Sequence, residues 1–154
     1  MLVLSGGERR NIAIFFWVSS AKSGYGVFFR DSLGSKGLAR RDLSGAVDFG
    51  HLEAYTLNDD AVIEEVLRLF QHQCELWAPL LTTEHEGWRD AAHTIKGAAG
   101  GIGANALAAA AEAAERGDAG GAQTRLERVR DEMNAALLDT AAYLHELRLR
   151  GLKA

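Results

Sequence analysis

The sequence predicts an all-α protein: an antiparallel four-helix bundle with an extra short N-terminal helix, preceded by a poorly structured tail. Three observations carry that expectation. A single proline occurs in 154 residues. From residue 48 onward, apolar residues recur every three or four positions, the helical period. Short runs of glycine, threonine and asparagine, the residues of turns, interrupt that pattern.

Residues 1–45 are assigned to the tail and residues 46–150 to the bundle. The tail holds seven of the seventeen glycines, with Ser19, Ser20, Ser23, Ser32, Ser35 and Ser44 between them. From Ser19 to Gly45 no period of 2 or 3.6 is sustained, so the stretch reads as flexible. Ile12–Val18 and Val27–Phe29 are either short strands or part of non-native sequence upstream of the true start. Arg9 and Arg10 before the Ile12–Val18 run faintly mimic a signal peptide, but the run is at the short limit for one.

The first helix is short, with Phe49, Leu52 and Tyr55 on one stripe. Asn58 is the expected N-cap of the second helix, ahead of two acids, Asp59 and Asp60, suited to a helix start. In that helix Val62, Val66, Leu69, Phe70, Gln73, Leu76, Trp77 and Leu80 share a face, and Asp60, Glu64, Arg68, Gln71 and Glu75 fill the other. Pro79 lies near its end, and Thr82-Thr83 break the chain. A third helix starts near Glu86 or Gly87. A fourth, alanine-rich, runs from Asn105 to Arg116, followed by Gly117-Asp118 and Gly120-Gly121. The last is long, with Leu126, Val129, Met133, Leu137, Thr140, Leu144 and Leu147 in a 3-4 repeat.

Composition narrows the function classes. The net charge of −4 divides into +4 over residues 1–45 and −8 over the remainder. An acidic body lacks the positive field that phosphate backbones require, so nucleic acid is not an expected partner. No apolar run approaches the ~20 residues of a membrane span. Cys74 is the single cysteine, so it has no partner within the chain and is read as a small core residue. His51, His72, His85, His93 and His145 show no metal-ligand spacing.

The third helix carries the chemistry. On a wheel at roughly 100° per residue with Trp88 at zero, Ala91, Ala92, Ile95, Ala99 and Ile102 fall within about 60°, the buried stripe. His93 falls near 140°, facing out. Around it lie Glu86, Arg89, Lys96, Gly97 and Gly100. Each glycine costs about 1 kcal/mol relative to alanine inside a helix. The segment Gly97–Gly103 is therefore either a loop after Lys96 or a helix kept bare beside the imidazole. Ile95, Ala99 and Ile102 hold the apolar spacing through it, which favours a helix continuing past Gly100. The other four histidines have no polar constellation and read as ordinary surface or turn residues.

The run His93-Thr94-Ile95-Lys96-Gly97-Ala98-Ala99, with Ala91-Ala92 before it and Gly101-Ile102-Gly103-Ala104 after it, resembles the signature of histidine-containing phosphotransfer domains. The resemblance extends from about Asp48 to Leu149; residues 1–45 have no counterpart. It implies a helical bundle that relays phosphoryl groups between receiver domains. His93 would be the phosphoacceptor. Lys96, at i+3, would offset phosphoryl charge or contact the partner. Gly97 and Gly100 would leave room for that partner. Apart from the resemblance, Arg89, at i−4, is either placed to add positive potential beside His93 or is a solvated arginine.

The implied partners are receiver domains of response regulators and of a hybrid histidine kinase. The implied protein is a cytoplasmic monomer with no kinase activity and no cofactor of its own; Mg²⁺ would come with the receiver. Three other readings fit the residues less well. In a kinase dimerisation domain an acid usually follows the histidine, and here Thr94 does. A non-catalytic helical adaptor would not need the motif. A metal-binding bundle would need paired Glu/His ligands.

Overall fold

The computed structural model describes residues 45–153, and these form five α-helices with no strand among them. The tail expected over residues 1–45, and the strands considered for Ile12–Val18 and Val27–Phe29, lie outside the described residues apart from Gly45. The helices are α1 (Phe49–Tyr55), α2 (Asp60–Trp77), α3 (Trp88–Ile102), α4 (Asn105–Arg116) and α5 (Ala122–Lys153). Short 3-10 turns at Ala78–Leu80 and Ala119–Gly121 follow α2 and precede α5.

The last four helices close a ring: α3 packs on α4, α4 on α5, and α2 on both α3 and α5. Two contacts fix the direction of α5 against α2. Thr83 Oγ1, just beyond α2, lies 3.2 Å from Gln123 Oε1 at the start of α5. Arg150, near the end of α5, pairs with Asp60 at the start of α2 at 3.7 Å. The two helices are therefore antiparallel, as short joints require. The short α1 packs against α3.

The cap of α2 falls one residue later than Asn58. Asp59 Oδ1 accepts the Ala61 and Val62 amides at 3.1 and 3.3 Å. Asn58 and Leu57 both have positive φ, 58° and 55°. Turning the chain sharply out of α1 uses the left-handed conformation at Asn58, which asparagine tolerates. The extended conformation that a cap needs then falls to Asp59.

The buried stripe of α2 is also rotated from the expected one. It is Ile63, Leu67, Phe70 and Cys74. Val66, Trp77 and Leu80 pack at its margin, and Leu76 is 54% exposed. The helix is apolar over much of its circumference, so the period alone does not say which of two neighbouring apolar lines faces both α3 and α5. Gln73, a polar residue on the expected apolar face, accepts the indole N–H of Trp77 at 2.9 Å. Cys74 sits in the core, and burial, with Glu75 adding, pushes its thiol up to about 12. It is protonated and unreactive at neutral pH.

In α1 only Leu52 of the expected stripe is buried; Phe49 stacks on Tyr143 at 4.2 Å and Tyr55 is exposed. The α5 stripe is as expected, except that Leu137 is only partly buried.

Helix α3 continues through Gly97, Gly100 and Gly101 and ends at Gly103, with φ of 83°. Gly103 is the one glycine here whose conformation is obligatory. A Cβ on it would lie 2.6 Å from the Asp48 carbonyl oxygen, and the Asp48 amide donates to Gly103 O at 2.9 Å. This close approach ties the start of α1 to the α3–α4 joint. Only Gly103 and Ala104 separate α3 from α4, so the two helices form a tight antiparallel hairpin.

Candidate functional site

That hairpin positions the site. His93 lies about as far before the joint as Glu115 lies after it, so the two side chains meet across the α3–α4 interface. His93 Nδ1 is 2.8 Å from Glu115 Oε1, and Lys96 Nζ donates to Glu115 Oε2 at 2.7 Å. One carboxylate thus spans two residues that stand one turn apart on α3. The His93 side chain is 42% exposed, against 21% for Lys96 and 25% for Glu115. The ring stands out from a more deeply seated ion pair.

The electrostatics follow from this geometry. Partial burial acts to raise the Glu115 pKa. Hydrogen bonds and charge from Lys96 and His93 outweigh it and hold the carboxyl below its ordinary value. Glu115 is therefore ionised at neutral pH. A carboxylate has only acceptor sites, so a bond to Nδ1 requires the proton on that nitrogen. In the neutral ring this leaves the lone pair on Nε2. Such a ring is a nucleophile with its proton held on the side away from the reaction.

Of the other residues singled out in the sequence, Gly97 and Gly100 follow His93 at i+4 and i+7 along the helix, both partly exposed. Beside Gly100 nothing lies within 4 Å of where a Cβ would stand. Lys96 is engaged by Glu115 and is not a free cation. Arg89 reaches the end of α4: its guanidinium donates to the carbonyl oxygens of Glu115 and Gly117 and lies over the Trp88 ring at 4.4 Å. It binds the backbone there and is not a solvated arginine. Trp88 is half-buried at the start of the helix, and Ala98 joins the buried stripe.

Glu115 is the residue that reading the sequence missed. Its signal was present: with a two-residue joint, positions at similar distances before and after it pair, and Glu115 is an acid within one residue of the position equidistant with His93. Among the remaining histidines, His85 Nδ1 accepts the Gly87 amide at 3.0 Å and His72 lies 3.8 Å from Glu75. Both contacts are local. Among the described residues no group of three or more His, Cys, Asp or Glu is arranged to hold a metal ion, and no helix is long and apolar enough to cross a membrane.

Comparison with known proteins bears on this geometry. Residues 61–139, a stretch containing the whole of the site, match the family model of the Hpt domain. Among solved structures, the histidine phosphotransferase ShpA from Caulobacter crescentus is 52% identical, with a TM-score of 0.63; the match covers 70% of this chain and 99% of that one. No match is found among curated proteins.

Proposed function

The chain belongs to the Hpt domain family, a family of histidine phosphotransfer domains, and from that premise we propose that it carries a phosphoryl group on His93 from one receiver domain to another. The observation that carries this reading is the Glu115 carboxylate on His93 Nδ1, 2.8 Å away, which leaves Nε2 as the nucleophilic nitrogen of an exposed ring. An adaptor without phosphate traffic has no use for that arrangement.

In the proposed step, the Nε2 lone pair attacks the phosphorus of a receiver's aspartyl phosphate. The bond from phosphorus to the aspartyl oxygen breaks, and its electron pair leaves on the carboxylate. Nδ1 keeps its proton, so the phosphorylated ring is cationic, and Glu115 stands against that charge. Lys96 keeps two N–H donors beyond the one engaged by Glu115, enough to meet a phosphoryl oxygen. Transfer to the second receiver is the same step run backward. Mg²⁺ belongs to the receiver, whose carboxylates hold it. Gly97 and Gly100 keep the helix surface next to the ring low enough for a protein partner to approach.

The proposed partners are the receiver domains of a hybrid histidine kinase and of a response regulator. The proposed carrier is a cytoplasmic monomer without nucleotide chemistry of its own. The test is transfer from a panel of phosphorylated receiver domains, alongside the small donor phosphoramidate. The expected product is acid-labile label on His93, none with ATP alone, and none in His93→Gln, which folds normally because the side chain is outside the core. Histidine label persisting in His93→Gln overturns the assignment.

A further inference from the structure

Glu115 acts on His93 only if the end of α4 stays in place, and that end is intrinsically weak. Glu115 is the penultimate residue of α4, where the carbonyls have no partner within the helix and the last turn frays. The backbone turns extended at Gly117, with φ of −70° and ψ of 163°. Glycines at 120 and 121 follow. Within this turn the Gly117 amide donates to Ala113 O at 3.0 Å, and Arg125 donates to the carbonyl and carboxylate of Asp118.

Beside these, and the Arg125 guanidinium of α5 that packs against Gly117, two contacts on the end of α4 come from α3. Arg89 Nη1 donates to Glu115 O at 2.5 Å and Nη2 to Gly117 O at 3.2 Å. The planar fork of a guanidinium suits two separate acceptors, and its stacking on Trp88 at 4.4 Å restrains its stem. Arg89 and His93 stand on one rigid helix, about 6 Å apart along its axis.

We propose that Arg89 is a positioning residue for phosphoryl transfer: it clamps the end of α4 so that the Glu115 carboxylate stays on His93 Nδ1. The side chain of Glu115 is then fixed by His93 and Lys96, and its main chain by Arg89, all from α3. Of the other charges around this end, Glu112 pairs with Arg116 on α4, and Arg125 of α5 pairs with Asp118 and holds the turn beyond Glu115. Without the clamp, the α4 end frays, the carboxylate leaves Nδ1 part of the time, and the imidazole proton redistributes onto Nε2. Each molecule with Nε2–H is unable to attack phosphorus.

This inference rests on His93 being the phosphoacceptor, and its test separates the two. The full chain is labelled with phosphoramidate: Nε2 attacks phosphorus, the P–N bond breaks, and the nitrogen leaves as ammonia with a proton from solvent. Arg89→Met keeps an unbranched side chain there and removes the guanidinium with both donors. It is expected to slow labelling about tenfold, as small misplacements of a reacting group do. It is also expected to raise the Nε2–H share of His93 seen in ¹⁵N spectra. Arg89→Lys, which supplies a single donor centre, falls between. In a Glu115→Ala background, where no acceptor is left for Nδ1, Arg89→Met should add no further loss, because the two residues act through one contact. Equal slowing in both backgrounds, or an unchanged rate and tautomer, overturns the clamp while leaving His93 as acceptor. A wild-type chain that takes no label on His93 overturns the phosphoacceptor reading itself.

Discussion

At the scale of single residues, the site turns on how one carboxylate divides itself between a histidine and a lysine. Glu115→Gln keeps an acceptor oxygen but loses the charge, and its amide presents N–H donors to Lys96, already a donor. A half-buried ion pair of this kind contributes about 1 kcal/mol. Its pH dependence has a definite sign. The folded-state pKa of Glu115 lies below its ordinary value, because Lys96 and His93 outweigh burial. The contribution is therefore complete above the unfolded value, about 4.3, and is lost as the pH falls through the folded value. Thermal melts of wild type and Glu115→Gln should differ at about pH 6, and the gap should narrow as the pH falls below about 4.3 and close below the folded value. A gap that persists undiminished however far the pH is lowered in the folded protein would show that the ionised carboxylate is not its source. Lys96→Ala should slow transfer without abolishing it, since it removes an electrostatic helper and leaves the attacking nitrogen. A loss as complete as that of His93→Gln would assign Lys96 a part in the chemistry itself.

At the scale of elements, the glycines of α3 divide into two kinds that one experiment separates. Beside Gly100 the space is open. Gly100→Leu should therefore stabilise the helix by about 0.5–1 kcal/mol, and it should slow transfer from a receiver domain while leaving phosphoramidate labelling unchanged. Gly97→Leu tests the same face one turn nearer the histidine. Slowing with the small donor too would show damage to the site and not to docking. Gly103 is the opposite case. With φ of 83° and the Asp48 carbonyl oxygen 2.6 Å from where a Cβ would stand, Gly103→Ala should cost about 2 kcal/mol or more, read as a fall in denaturation midpoint. A loss below about 0.5 kcal/mol would show that α1 simply moves away. The helices were legible in the sequence because each buries a line of side chains at a 3-4 spacing, and His93 was legible because the ring lies off that line. Besides the rotated stripe of α2, two things were hidden. The cap moved from Asn58 to Asp59 because the loop geometry decides which residue is extended. Glu115 stayed unseen because its meaning depends on pairing across two helices, which a wheel drawn for one helix does not contain.

At the scale of the whole molecule, the bundle is closed where the described chain begins. The Ala46 and Val47 amides donate to Asp139 Oδ2 on α5 at 2.6 and 3.2 Å. Val47 is 6% exposed and belongs to the core, while the Asp48 amide meets Gly103 behind the site helix. These contacts run from α5 through residues 46–48 to the end of α3, so the first residues of the bundle brace the helix that carries His93. From them we infer a working boundary of the domain at about residue 46, which truncation tests. A chain beginning at Ala46 keeps every one of these groups, and its new terminal ammonium still faces Asp139. It is expected to melt close to the full chain and to accept phosphoryl groups from phosphoramidate at a similar rate. A chain beginning at Asp48 loses the buried Val47 side chain, about 1.5–2 kcal/mol, and leaves Asp139 without both amide donors, a further cost of about 1 kcal/mol. Its denaturation midpoint should fall well below that of the Ala46 chain, while Asp139→Ala in the full chain should reproduce only the smaller part of the loss. Equal stability of the two truncations would show that the Asp139 anchor holds nothing. A marked loss already in the Ala46 chain would move the boundary of the domain upstream, into residues 1–45.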